Sequence, residues 1–359
     1  MSVISQSATY RATLLRVSMV LVFILSALGT SVVSAHEEAG MVADAIVQNA
    51  QQYLNTLDES QTANSVFEFD SDQKYTWSNL PTNMVQRAGI TVGEMSDEQY
   101  SALEALLGSL LSDEGLARVQ GIFVADDYLN EFAHNDRFAW SSANYYVSFY
   151  GQPTLEGAWG FQVTGHHLGL NMTMVNAEIS ITPTLTGVEP VEFTYDGVDY
   201  NPLGVLRETG FALMNALDAD QIASSSISVG GGRGGNIVLG AGEDGTAAPA
   251  QQGLLIGSMT AEQQALAEAV IASYFNLVDE AIASELIAEY VAEFDETTFA
   301  WSGDTNIETA TGSYYRLQGP TLWIEFSMEQ SIAEGVGAFH YHTMMRDFAN
   351  DFGASDLAQ

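Results

Sequence analysis

Four of the six histidines in this chain fall in two short clusters, and clustered imidazoles are the side chains that bind transition metals or relay protons. One cluster is Gly165-His166-His167, and the other is His340-Tyr341-His342. Residues two apart on a strand face the same side, so His340 and His342 point together, with Met344 and Arg346 continuing that face. Neighbours on a strand face opposite ways. His166 then shares a face with Leu168, Leu170, Met172 and Met174, and His167 with Gly169, Asn171 and Thr173. That division predicts His167 as the site member and His166 as a buried, hydrogen-bonded histidine held in reserve as a ligand. His167, His340 and His342 would hold one transition-metal ion, zinc first, with copper, iron or manganese as the other choices. An open coordination position would then activate water. Glu325 and Asp347 are the nearby acids, each expected as a fourth ligand, a general acid/base or a carboxylate that orients a histidine. Arg316 and Arg346, two of ten basic residues, are expected to orient an anionic substrate or to pair with local acids. Packing histidines in a metal-free core are the bland alternative.

The elements that must position these groups come in two similar series. Met95-Ser96-Asp97-Glu98-Gln99 and Met259-Thr260-Ala261-Glu262-Gln263 each fit a capping box, with the hydroxyl capping a helix and the glutamine reaching back. Each is followed by two helix-period stretches, near 100–111 and from Gly115 to Phe132 in the first series, and near 261–276 and 279–294 in the second. Phe138-Ala139-Trp140-Ser141 and Phe299-Ala300-Trp301-Ser302 follow, then Tyr145-Tyr146 and Tyr314-Tyr315, then Pro153-Thr154-Leu155 and Pro320-Thr321-Leu322. Strands are predicted at 144–150, 158–164, 167–175 and 178–184, and again at 313–318, 321–328 and 338–345. A leading helix is expected over 36–62, irregular chain over 63–94, and a connecting helix from Pro202 to about Ile222. The expected architecture is α+β: two degenerate repeats, each a helix pair followed by antiparallel strands, in one compact pseudo-symmetric unit. The divisions are a signal peptide at 1–35, a first repeat at 36–222, a Gly/Ser/Ala-rich loop or linker at 223–257, and a second repeat at 258–359.

Composition bounds the function. Arg11 and Arg16, the apolar run Val17 to Leu28 and the small-residue site Val33-Ser34-Ala35 predict an export signal, so the mature chain is expected in the periplasm or outside the cell. No later run is long and apolar enough to span a bilayer. With 46 acidic against 10 basic residues, a formal charge of −36, the surface repels nucleic acid and anionic lipid. No calcium-loop spacing accompanies the acids, so a solvated acidic surface is the simpler reading. There is no cysteine, which excludes disulfides, thiolate ligands and cysteine nucleophiles. Gly230-Gly231-Gly232-Arg233-Gly234-Gly235 lacks the Gly-Lys-Ser/Thr ending of a phosphate loop. Neither a G-x-S-x-G elbow nor an H-E-x-x-H helix is present.

Several ordered motifs resemble the bacterial family called domain of unknown function 3500. They are Trp77 to Pro81, Trp159-Gly160-Phe161, Gly165 to Asn171, Tyr314 to Pro320, Ile324-Glu325, His340 to His342 and Arg346-Asp347. The chain departs from that pattern at Glu334 to Phe339, where relatives read Asn-Asp-x-Asn before the histidine. The resemblance implies a shared fold and pocket, with no activity attached. The residues themselves point to an exported, metal-dependent enzyme, a hydrolase foremost, acting on a small molecule. The alternative is a non-catalytic small-ligand-binding protein of the cell envelope, with Trp140, Trp159, Trp301 and Trp323 lining a cleft.

Overall fold

The computed structural model describes residues 38–133, 138–229, 237–310, 312–333 and 339–358. The expected signal at 1–35, the glycine run at 230–235 and most of the divergent stretch 334–339 lie outside them. The class is α+β, as expected: helices cover one face of a large mixed sheet.

Capping residues decide where the helices start. The leading helix, 38–55, stops earlier than expected because Asp58 caps a new one, α2 (Glu59–Ser65), through the Gln61 amide. Ser96 and Thr260 cap α3 (Asp97–Leu110) and α7 (Ala261–Phe275), and both capping boxes are complete. Ser112 starts α4 (Asp113–Phe132), and Asp279 starts α8 (Glu280–Ala292). The connecting helix is two helices, α5 (Gly204–Asn215) and α6 (Ala219–Ser225), divided by the Asp218 cap. Two glutamine pairs tie these starts together. Gln99 bonds the Gln61 amide and the Thr56 carbonyl, while Gln263 bonds the Gln221 amide and the Ala216 carbonyl.

The strands are β1 (Val66–Phe67), β2 (Ile90–Thr91), β3 (Tyr146–Tyr150), β4 (Ala158–Gly165), β5 (Leu168–Val175), β6 (Glu178–Ser180) and β7 (Thr184–Val188). A small hairpin follows, β8 (Phe193–Tyr195) and β9 (Val198–Tyr200), turned by Asp196-Gly197 at positive φ. The rest are β10 (Leu254–Leu255), β11 (Thr298–Ser302), β12 (Tyr314–Gln318), β13 (Leu322–Gln330) and β14 (Phe339–Asp347). The main sheet runs β1-β3-β4-β5-β7-β14-β13-β12-β11-β10. The strand expected at 178–184 is broken in two, since Pro183 has no N–H to donate to a ladder. Phe299–Ser302 lies in β11, whereas Phe138–Ser141 lies in the turn before β3, so these two landmarks occupy different structural positions.

One face of the sheet packs on the helices through Leu168, Leu170, Met172, Ile324, Phe326, Tyr341 and Met345, joined to Leu103, Ile122, Phe211 and Val270. The other face carries the polar residues and a small apolar cluster of Trp77, Leu185, Met344 and Phe352. It is covered by chain rather than by helices. Trp77 lies flat on Gly169, where a Cβ would come within 2.5 Å of the indole, and Arg87 fixes that cover by bonding the carbonyls of Ser78, Leu80 and Gly165. No described helix is long and apolar enough to cross a membrane.

Candidate metal centre

The antiparallel pairing of β7 with β14 assembles the histidines. It sets Gly187 opposite His342, and β5 beside β7 brings the end of β4–β5 alongside. His166 and His167 are the two residues of the β4–β5 turn rather than strand residues, because Gly165 already pairs with Leu168. Strand alternation therefore does not separate them. Their rings stack at 3.6 Å, with His167 in the left-handed region at φ 64°. His167 still turns toward β14 and His166 toward α4.

His167 Nε2 lies 2.7 Å from His340 Nε2, and ligand atoms of His167, His340 and His342 all fall within 4.8 Å of one another. The three rings are inclined at 52°, 70° and 58° to each other, splayed as ligands around one point. Gly187 makes the room: a Cβ there would stand 2.8 Å from His342 Cδ2 and 2.9 Å from His167 Cδ2. Carboxylates stand behind the outer nitrogens. His342 Nδ1 meets Glu329 Oε1 at 3.1 Å, and His340 Nδ1 faces Glu189 Oε2 at 4.0 Å. An Nδ1–H aimed at a carboxylate leaves the Nε2 lone pair for an ion, the usual support of a metal-binding histidine. Asn79 Nδ2 sits 3.3 Å from His342 Nε2, a donor that fits the same tautomer and that a bound ion would displace. Tetrahedral zinc at 2.0–2.1 Å from each nitrogen spaces its ligands about 3.3 Å apart, so the closest imidazole pair would open by roughly half an ångström. This buried group is able to hold a metal ion.

Asp126, His166 and His167 also lie within reach of one another. The stacked His166 and His167 rings are inclined by only 29°, so their lone pairs lie in nearly parallel planes, unlike the splayed rings of the first group. His166 Nδ1 instead bonds Asp126 Oδ1 at 2.6 Å, and the Tyr145 hydroxyl donates to the His166 carbonyl.

Burial, reinforced by the neighbouring imidazoles, holds His167 and His340 well below the ordinary histidine value of 6.5. Both are therefore neutral near pH 7, the form a metal requires. In the metal-free chain the unfolded state binds more protons than the folded one below about pH 6.5. Stability should thus fall as the pH drops from about 6.5, with two histidines contributing. Urea titrations of chelator-treated protein between pH 7.5 and 5 check this; a flat midpoint would contradict it.

The family described as "Protein of unknown function (DUF3500)" matches residues 39–354. The chain belongs to the DUF3500 family. Comparison with curated proteins and with solved structures yields no match. Three of the motifs that carried the resemblance to DUF3500 meet at the histidines: Trp77 to Pro81 in the cover, Gly165 to Asn171 in the turn and β5, and His340 to His342 at the start of β14.

The remaining site candidates on this DUF3500 chain are placed elsewhere. Glu325 is fully buried and already accepts four hydrogen bonds, from the Val238 and Leu239 amides, Trp323 Nε1 and the Tyr314 hydroxyl. No oxygen of it is left for a reacting group. Asp347 ends β14 on the opposite face from His342, about 17 Å along the strand at ~3.4 Å per residue. It accepts from the Tyr290 hydroxyl and the Ala349 and Asn350 amides. Arg346 bonds the carbonyls of Leu239 and Gly240 and pairs with Asp244 and Asp351, so it anchors a loop. Arg316 lies on the histidine-bearing face, stacked 4.9 Å from the Trp323 ring. All four tryptophans assigned to a cleft are buried, none more than 3% exposed. Asn79, Glu189, Glu329, Asp126 and Gly187 escaped the sequence reading. Only Asn79 carried a signal, inside the Trp77 to Pro81 motif.

Proposed function

We propose that this chain is an exported metal-dependent hydrolase that holds one transition-metal ion, zinc first, on His167, His340 and His342. The observation that carries it is the convergence of three buried, mutually splayed imidazoles, two with a carboxylate behind the outer nitrogen. A zinc ion so held supplies a bound water ionised near neutral pH. The chain's own residues do the rest. Glu329 fixes the His342 tautomer, the Trp77–Pro81 cover excludes bulk water, and the acidic surface favours small substrates over polyanions. Glu325 and Asp347 carry no acid/base role in this reading. Elemental analysis of untagged, signal-free protein is the test. Near one equivalent of zinc, copper, iron or manganese per chain supports it, and no metal after each ion has been offered sinks it.

The same reading takes the chain as two fused units. The paired glutamine ties and the placement of β10-β11-β12-β13 against β2-β3-β4-β5 support it. In that correspondence the His166-His167 turn answers to Pro320-Thr321 between β12 and β13, so the histidines belong to the joint rather than to each copy.

A further inference from the structure

Arg316 has an unsatisfied edge. Its Nε and Nη2 are buried and have no hydrogen-bond partner, although the chain offers acids in excess. The natural partner is Glu325, directly across in β13, but both oxygens of that carboxylate are filled by the four donors named above. Trp323 covers the guanidinium plane and leaves the edge. Two residues along the same face, Gln318 Oε1 is also buried and unpartnered, while its Nε2 donates to the Pro249 carbonyl. A stranded donor or acceptor of this kind costs about 1–3 kcal/mol, so two stranded donors beside a stranded acceptor mark a place that something else completes.

We propose that this edge is the binding site for a single carboxylate bearing an adjacent N–H, the chemistry of a peptide C-terminus or an N-acyl amino acid. The Nε/Nη2 edge of a guanidinium is a two-donor fork that matches the planar carboxylate side-on. Gln318 Oε1 then accepts the neighbouring N–H. A polyanion is disfavoured by the net charge of −36. Ser327, whose buried Oγ is likewise unpartnered, lies between Tyr314 and His342 on this face and continues the polar path toward the histidines. Strand spacings put Arg316 and His342 about 12 Å apart between backbones. Residues 245–250 are mostly exposed and meet the sheet through Pro249, so a ligand entering from that side would displace the Pro249 contact.

The site stands without the metal, and the experiment keeps the two apart. N-acetylglycine, its primary amide, and O-acetylglycolate, which lacks the N–H, are titrated calorimetrically into the full chain, as purified and after chelation. The expected result is saturable binding of N-acetylglycine, at least tenfold weaker binding of the other two, and no change on chelation. Arg316→Lys should lose tenfold or more, and Gln318→Leu should abolish the preference for the N–H compound. Equal binding of acid and amide, no saturable binding, or unaltered affinity in a folded Arg316→Lys chain overturns the proposal. The wild-type comparison decides even if a variant does not fold. Loss of binding on chelation would overturn it too, by moving the carboxylate to the metal.

Discussion

His340→Ala and His342→Ala should each reduce metal content from near one equivalent to less than a tenth under the same dialysis. Losing a group that merely supports a ligand costs 10–100-fold in affinity, and losing one of three ligands should exceed about 100-fold. Circular dichroism and a thermal melt must show folded protein for the result to count. Both side chains are buried at the β7–β14 joint, so some destabilisation is expected alongside the metal loss. His166→Asn is the informative companion. Its ring is spent on Asp126 and on stacking against His167, so metal content should stay near wild type. Parallel losses in His166→Asn and His340→Ala would instead make the Asp126, His166 and His167 group part of the ligand set. Metal retained in a folded His340→Ala, His342→Ala double variant would remove the proposed centre altogether.

The second large effect is on stability. Glu325→Leu strands the Val238 and Leu239 amides, the Trp323 indole and the Tyr314 hydroxyl in one step, and leaves Arg316 without the charge opposite it. Breaking a buried charged network from one side costs about 3–5 kcal/mol. For a chain of this length that is a drop of roughly 10 °C in Tm, at about 2–4 °C per kcal/mol. Metal content per folded chain should be unchanged. A normal melting temperature with lost hydrolysis would restore Glu325 to the catalytic role read from its position in the sequence.

The four donors on Glu325 mark where sequence legibility ends. Ser96 with Gln99 and Thr260 with Gln263 located two helix starts because a capping box is local chemistry. His340 and His342 share a face because alternation is local too. Glu325 and Asp347 stand near the histidines along the chain, but that nearness says nothing about which donors fold over an acid. Asp347 is an odd step from His342 in β14, so its opposite orientation was readable, but its bond to Tyr290 was not. His166 and His167 look like strand residues by composition. They form a turn because Gly165 and Leu168 close the ladder before them. Glu189 needed the strand order itself, since β7 reaches β14 across more than 150 residues of sequence, whereas Glu329 needed only the register of the neighbouring β13–β14 pair. The tight approach at Gly187 is legible only once both neighbours are in place.

The proposed centre, ligands and supporting groups together, is divided along the chain. His167, Asn79 and Glu189 come from the part before the glycine-rich segment, and His340, His342 and Glu329 from the part after it. Neither part alone brings three imidazoles to this group, which takes one from the first part and two from the second. An ion bound there acts as a rivet through the seam of β7 and β14, coupling its own occupancy to the joining of the two sheet halves. Shear at that seam would release it, and its return would report that the halves had found each other again.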